Sequence, residues 1–394
     1  SARSTRTSSP SSVMCGGYPG RAGGTRPATA GDGMRRIAVL RSNAIGDYLM
    51  ATPALAALRS AFPDAELTLL AAGWHRAFLD GRPGPVDRVL VLPEVPGLAG
   101  QPGGAPPDAE LPGFLATARA YGYDLAVQLH GGGARSNPLV TDLGAHYTIG
   151  LRAPDAPGLD ATVPYRYYQP EVARYLEVVG LVGATGPAEY PELASVPGED
   201  DRAERLLPAQ DGPWVALNPG AGDPRRRWST ARFAAVADAV TASGARVVVV
   251  GSDADVRTAA EITARARSAP LDLTGRTDLG TLAAVLRRCA VVVSNDSGPL
   301  HVARAVGAPT VGLYWCGNAI NAAPETRSRH RPLLSWRVHC VECGVDCTPV
   351  GSPHRPGNGC SHRSSFVDEI PVAEVVDEVE DLLRASPAAG TDPR

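Results

Sequence analysis

From Arg35 onward, apolar runs of four to six residues alternate with stretches of helical periodicity, and the alternation occurs twice. No other feature of the chain restricts its fold so much. Ile37–Leu40, Glu66–Ala71, Arg88–Leu92 and Leu125–Leu129 read as strands, with helices at Pro53–Phe62 and Pro112–Tyr121 between them. The second half has strands at Trp214–Leu217, Ala245–Val250, Leu271–Leu273, Ala290–Val293 and Thr310–Leu313. Its helices fall at Thr230–Ser243, Asp255–Ala266 and Leu279–Arg288. Runs that are apolar throughout suit strands covered on both faces, as in a parallel sheet. The expected architecture is α/β, two Rossmann-like domains facing each other across a central cleft.

The 394 residues suit two domains with a tail at each end. Residues 1–33 are mostly Ser, Thr, Gly, Pro and Arg and should be disordered, because they bury too little to offset the entropy of ordering. Residues 34–195 form the expected N-terminal domain, 196–386 the C-terminal domain and 387–394 a disordered tail. Pro93–Pro112 reads as a surface loop, Pro170–Val182 as a helix, and Gly183–Asp200 (GATGPAEYPELASVPGED) as a linker. A last helix, Val372–Leu383, places Val372, Val375, Val376, Val379, Leu382 and Leu383 on one packing face.

A net charge of -3 gives no basic footprint for nucleic acid and no polybasic surface for lipid. No apolar run approaches the roughly 20 residues of a membrane span, and the N-terminus lacks the apolar core of a signal peptide, so a cytoplasmic protein is expected. All 38 basic residues are arginine, so a site that elsewhere uses lysine must use arginine here.

Three βα turns carry candidate chemistry. After strand Ala290–Val293 comes Ser294-Asn295-Asp296-Ser297-Gly298-Pro299, with Pro299 suited to the first turn of a helix and Asp296 or Ser297 suited to cap it. That helix N-terminus lies at the carboxyl end of a strand, where free N–H groups favour a phosphate, and His301 follows in the first turn. The turn Arg41–Asp47 has a single glycine, Gly46, and is not a dinucleotide fingerprint; Asp47 is either a helix N-terminal carboxylate or a general base facing the cleft. The third turn opens the second domain. Asn218, Gly220 and Gly222 let backbone approach a ligand, and Arg225, Arg226 and Arg227 bring charge suited to a diphosphate, or else form a solvated run.

Together these turns resemble those of glycosyltransferase family 9, the ADP-heptose:lipopolysaccharide heptosyltransferases. RRIAVLRSNAIGDYLMATPALAALRSAFPDAELTLL, YDLAVQLHGGGARS, NPGAGDPRRRWSTARFAAVADAV and VVVSNDSGPLHVARAVGAPTVGLYW follow the family's motifs in order, over about Arg35 to Leu383. The resemblance implies the GT-B fold, with an N-terminal acceptor domain and a C-terminal donor domain. It implies that Asp47 is the catalytic base and that Arg226 stands where the family's lysine binds donor phosphate. Asp296 would contact the donor sugar, with Ser297, Gly298 and His301 lining the diphosphate pocket. Asn218 and Gly220 join the donor site, and Asp255, or Asp253 in another register, would hold the ribose. The implied reaction is an inverting sugar transfer from a nucleotide-diphospho-sugar, ADP-heptose-like, to an acceptor hydroxyl, without a cofactor or catalytic metal. The acceptor is a lipopolysaccharide core sugar, another glycan or a secondary metabolite. A GT-B nucleotide-sugar epimerase and a non-catalytic sugar-nucleotide-binding protein are the competing readings.

Cys340, Cys343, Cys347 and Cys360 have the spacing C-x₂-C-x₃-C-x₁₂-C, a structural metal or cluster signal, with reduced thiols or a disulfide as the alternatives. His339, His354 and His362 add candidate ligands.

Overall fold

A computed structural model describes residues 33–95, 98, 110–208, 211–348 and 360–385. The expectations for the two tails, most of that for the loop at 93–112, and the candidate ligand His354 lie outside these residues.

The first sheet contains β1 (Arg36–Leu40), β2 (Glu66–Ala71), β3 (Arg88–Val91), β4 (Leu125–Gln128), β5 (Tyr147–Arg152) and β6 (Ala161–Pro164). All its pairings are parallel, in the order β3-β2-β1-β4-β5-β6. Its helices are α1 (Ile45–Ala61), α2 (Gly73–Leu79), α3 (Leu111–Tyr121), α4 (Ser136–Asp142) and α5 (Glu171–Gly180), after which α6 (Glu199–Leu206) leads to the second sheet. That sheet contains β7 (Trp214–Asn218), β8 (Arg246–Val249), β9 (Leu271–Asp272), β10 (Val291–Asn295), β11 (Thr310–Trp315) and β12 (His330–Ser335). Its helices are α7 (Thr230–Ala242), α8 (Val256–Arg265), α9 (Leu279–Arg287), α10 (Gly298–Ala305), α11 (Cys316–Ala322) and α12 (Val372–Ala385).

The second order, β12-β11-β10-β7-β8-β9, is the first read from its other end. Each sheet therefore reverses direction beside its first strand, between β1 and β4 and between β7 and β10. Doubly wound sheets hold ligands at such switch points, outside the carboxyl ends of the strands.

β5, β6 and β12 lack an uninterrupted apolar run, which is why periodicity does not find them. β12 reads His-Arg-Pro-Leu-Leu-Ser and lies at a sheet edge, where Pro332 is tolerated. The expected start of α1 at Pro53 is corrected: the helix begins at Ile45 and contains Pro53. The Asp47 carboxylate accepts the Ala44 N–H at 3.2 Å and so supports the first turn. Pro53 cannot donate to the Leu49 carbonyl, and the Thr52 hydroxyl donates to it instead at 2.6 Å. Burial of Leu49, Ala51, Ala54, Leu55 and Leu58 holds the rest.

The expected linker is also corrected, because it is a packed element that joins the two halves. Arg82, after α2, pairs with Glu199 of α6 at 2.6 Å with both side chains buried. The Leu193 N–H donates to Ala305 O at 2.9 Å. One apolar cluster runs from Leu49, Leu58 and Val178 through Leu193, Ala203 and Leu207 to Leu282, Leu286 and Val302. As expected, α12 buries Val375, Val379 and Leu382 in the core of the second domain. No described helix is long and apolar enough to cross a membrane.

Candidate active site

The N-terminus of α1 faces that of α10. A Cβ on Gly46 would stand 2.8 Å from His301 Cδ2, and one on Gly298 would stand 2.6 Å from Ile45 Cγ2. Glycine at both positions is what lets the two first turns approach this closely. Asp47 from the first domain and His301 from the second thereby stand on facing first turns.

On the first domain's side, Arg41 is buried and fixed at every nitrogen. Its guanidinium donates to the Asp47 carboxylate at 2.7 Å, to Asp47 O at 3.1 Å and to Leu129 O at 3.0 Å, and it lies over the Tyr175 ring. Burial opposes the charge, but Tyr175, Asp47 and Glu171 outweigh it and hold the Arg41 pKa above its ordinary value. Glu171 opens α5, sits 3.9 Å from Arg41, and is held by Arg174 and by the Tyr175 hydroxyl. One Asp47 carboxylate oxygen accepts from Arg41 and the other from the Ala44 N–H, yet the side chain stays 30 % exposed. It lines a cavity of about 600 Å³ with Arg41, Glu171, Tyr165 and the 130–136 turn after β4. The glycines at 131–133, which carry no reading in the sequence, thus form a wall of this cavity. Glu171 was missed as well; its only sequence signal is an acid after Pro170 at a helix start.

On the second domain's side, Asp296 is nearly inaccessible and carries two partners. Arg226 lies 3.1 Å from its carboxylate and donates to its backbone carbonyl at 3.1 Å, while His301 Nε2 lies 3.6 Å away. Burial alone would raise the Asp296 pKa, but the hydrogen bond from His301 and the charge of Arg226 bring it below the ordinary carboxylate range. His301 Nδ1 meets the Tyr190 hydroxyl at 3.1 Å, so the linker also supplies a side chain to the site. Burial pushes the Tyr190 phenol up to about 12, and the residue acts here as a neutral hydrogen-bonding group.

The expected capping of α10 is corrected. Ser297 occupies the N-cap position, but no side chain caps the helix. The Ser297 hydroxyl instead accepts from Asn218 Nδ2 at 2.9 Å and donates to Asn295 O at 3.2 Å, while Asp296 is taken up by Arg226 and His301. These bonds tie the β10 turn to the β7 turn. Asn218 also bonds Ser294 at 2.8 Å, Asn295 donates to Pro219 O at 2.7 Å, and the Asn295 side-chain oxygen accepts the Trp228 N–H at 3.1 Å. Asn295 and Trp228 are therefore positioning residues that the sequence reading left without a role.

The three arginines do not form one patch. Arg225 is taken by Asp223 at 2.6 Å, Arg227 donates to Ala221 O at 2.8 Å, and only Arg226 turns to Asp296. Asp255 accepts from the Ser252 amide at 3.0 Å and hydroxyl at 2.7 Å, and its carboxylate stands where a Cβ on Gly220 would fall, 2.7 Å away. Asp253 turns instead to Gly275. Of the two registers, Asp255 is the one that meets the β7 turn.

The arrangement joins a partly exposed carboxylate on one wall to a cation and a helix N-terminus on the other. Such a site can take a proton from a hydroxyl and hold a departing diphosphate. Residues 114–337 match the model of glycosyltransferase family 9 (heptosyltransferase). Lipopolysaccharide heptosyltransferase 2 of Salmonella typhimurium is 27 % identical over 364 residues, 88 % of this chain and 98 % of that protein. The lipopolysaccharide core heptosyltransferase OpsX of Haemophilus influenzae is 30 % identical over 112 residues, so this chain matches only 32 % of its length. Among solved structures, the ADP-heptose lps heptosyltransferase II of E. coli superposes with a TM-score of 0.69 at 22 % identity, over 89 % of this chain and 99 % of that one. The chain belongs to glycosyltransferase family 9 and is a glycosyltransferase of the GT-B fold.

Proposed function

We propose that the protein transfers a heptose from ADP-heptose to a hydroxyl of a lipopolysaccharide-type glycan, with inversion at the anomeric carbon. Asp47 takes the proton from the acceptor hydroxyl, whose oxygen bonds the anomeric carbon as the bond to the diphosphate breaks. Arg226 and the N-terminus of α10 receive the charge on the departing nucleotide. Asp296 acts from beneath by holding Arg226 and His301; its burial speaks for this positioning role over the direct sugar contact expected from the family motif. Asp255 beside Gly220 supplies an acceptor for ribose hydroxyls, and the cavity lined by Asp47, Glu171 and the 130–136 turn receives the acceptor.

The reading rests on one observation, the contact of Gly46 with His301 that brings the Asp47 turn against the donor turn. Heptosyltransferase relatives matched over nearly their whole length support the choice of sugar. The expected cytoplasmic location belongs to the same reading. A thermal-shift screen of nucleotide sugars, ADP-heptose first, tests it: ADP-heptose should raise the melting temperature most, and no shift with any of them would sink the transferase reading.

A further inference from the structure

Cys340, Cys343, Cys360 and His362 each bring one ligand atom into a group lying within 4.8 Å of one another. Cys343 Sγ and Cys360 Sγ are 3.6 Å apart, and His362 Nδ1 is 3.6 Å from both Cys340 Sγ and Cys360 Sγ. A tetrahedral ion with metal–sulfur bonds near 2.3 Å and metal–nitrogen bonds near 2.05 Å needs edges of about 3.8 Å between sulfurs and about 3.6 Å from sulfur to nitrogen. The three edges given above lie close to these values, and all four ligand atoms lie within 4.8 Å of one another, a spacing suited to a single ion. Cys347 is the cysteine left out; its thiol points to Val345 O at 3.5 Å and is buried in the core.

The surroundings are those of a ligand site. The Cys340–Cys343 turn closes through the Gly344 N–H on Cys340 O at 2.8 Å, with Gly344 at φ 71, where glycine is favoured. Backbone amides of Glu342 and Cys343 face the Cys340 sulfur. The far nitrogen of His362, Nε2, lies 3.6 Å from Glu342, whose carboxylate also accepts from Ser364. A carboxylate behind the histidine is the usual means of fixing which ring nitrogen faces a metal.

We propose that these three cysteines and His362 bind one tetrahedral divalent cation, Zn²⁺ or Fe²⁺, and that the ion fixes the donor loop. The ion would clip Cys340 and Cys343 to Cys360 and His362, two pairs that lie 17 residues or more apart in sequence, beside the β7 turn. Residues 222–225, Arg227 and residues 360–363 share a cavity of about 440 Å³. The Phe366 N–H donates to Arg225 O at 2.8 Å, and Arg225 lies over the Phe366 ring. Arg226, which meets Asp296, follows directly. The effect on the donor rests on the proposed function above; the metal site does not.

Metal analysis of the full chain, purified without chelator, should find about one equivalent of zinc or iron, the element itself telling the two apart. Co²⁺ added to metal-stripped protein should give the intense absorption of a tetrahedral thiolate site. Cys340→Ser and His362→Ala should lose the metal, and Cys347→Ser should keep it. Metal removal should weaken donor binding about tenfold and change the rate at saturating donor much less. A chain without bound metal that also gives no tetrahedral Co²⁺ spectrum, or a disulfide between Cys343 and Cys360, would overturn the site. A loaded site whose removal leaves donor affinity unchanged would overturn its link to the loop. If the metal-loaded protein binds no nucleotide sugar, the donor reading fails while the metal result stands.

Discussion

The two switch points share a topology and differ in how they use an acidic residue beside an arginine. At the first, Arg41 is buried and Asp47 is partly open; at the second, Asp296 is buried and Arg226 is a quarter exposed. Burying the cation leaves a carboxylate facing the cleft, able to take a proton. Burying the carboxylate leaves a cation facing the cleft, able to hold an anion. The same pair of residue types thus serves opposite ends of one reaction, and which partner is desolvated decides the role.

The pairing of halves can be broken most severely at Gly280. A Cβ there would stand 1.8 Å from Glu199 Oε1, inside the buried pair with Arg82. Gly280→Ala should cost about 3–5 kcal/mol in chemical denaturation, because it parts a buried ion pair. Next, Asp296→Asn should cost about 3 kcal/mol, against about 1 kcal/mol or less for Asp47→Asn, whose carboxylate is the more exposed. Equal losses would erase the contrast between the switch points. Arg226→Ala should weaken donor binding about a hundredfold by calorimetry while leaving the fold intact.

The smallest effect is in pH. Burial lowers the pKa of His75 in the first domain and of His330 in the second from 6.5 to about 4. Each takes up a proton on unfolding, so stability should fall as pH drops from 6.5 towards 4 and then lose this slope. His75→Phe should remove about half of that slope in urea melts at stepped pH. Asp296 has the opposite shift: its lowered pKa contributes stability that is present above pH 3.8 and lost only as pH falls further.

The fold was legible wherever a strand is apolar throughout, as in Val291–Val293, and illegible at edges such as His330–Ser335, where packing on one side suffices. Asp47, Arg226, Asp296 and His301 were each found from a βα turn, because turns are local in sequence. Glu171, Tyr190 and Asn295 were missed because each acts on a residue at least 67 positions away, Arg41, His301 and Trp228 respectively. The linker was misread for the same reason: Arg82 and Glu199 are separated by 117 residues, and neither predicts the other. In the cysteine cluster, spacing located the segment and only the structure exchanged Cys347 for His362.

The division of labour between the switch points is tested most directly by measuring donor affinity and transfer rate together for Asp47→Asn. The account predicts donor binding within about twofold of wild type and a rate lowered about a thousandfold, as for loss of a general base. Transfer that survives within about tenfold, or donor binding lost with transfer intact, would contradict it.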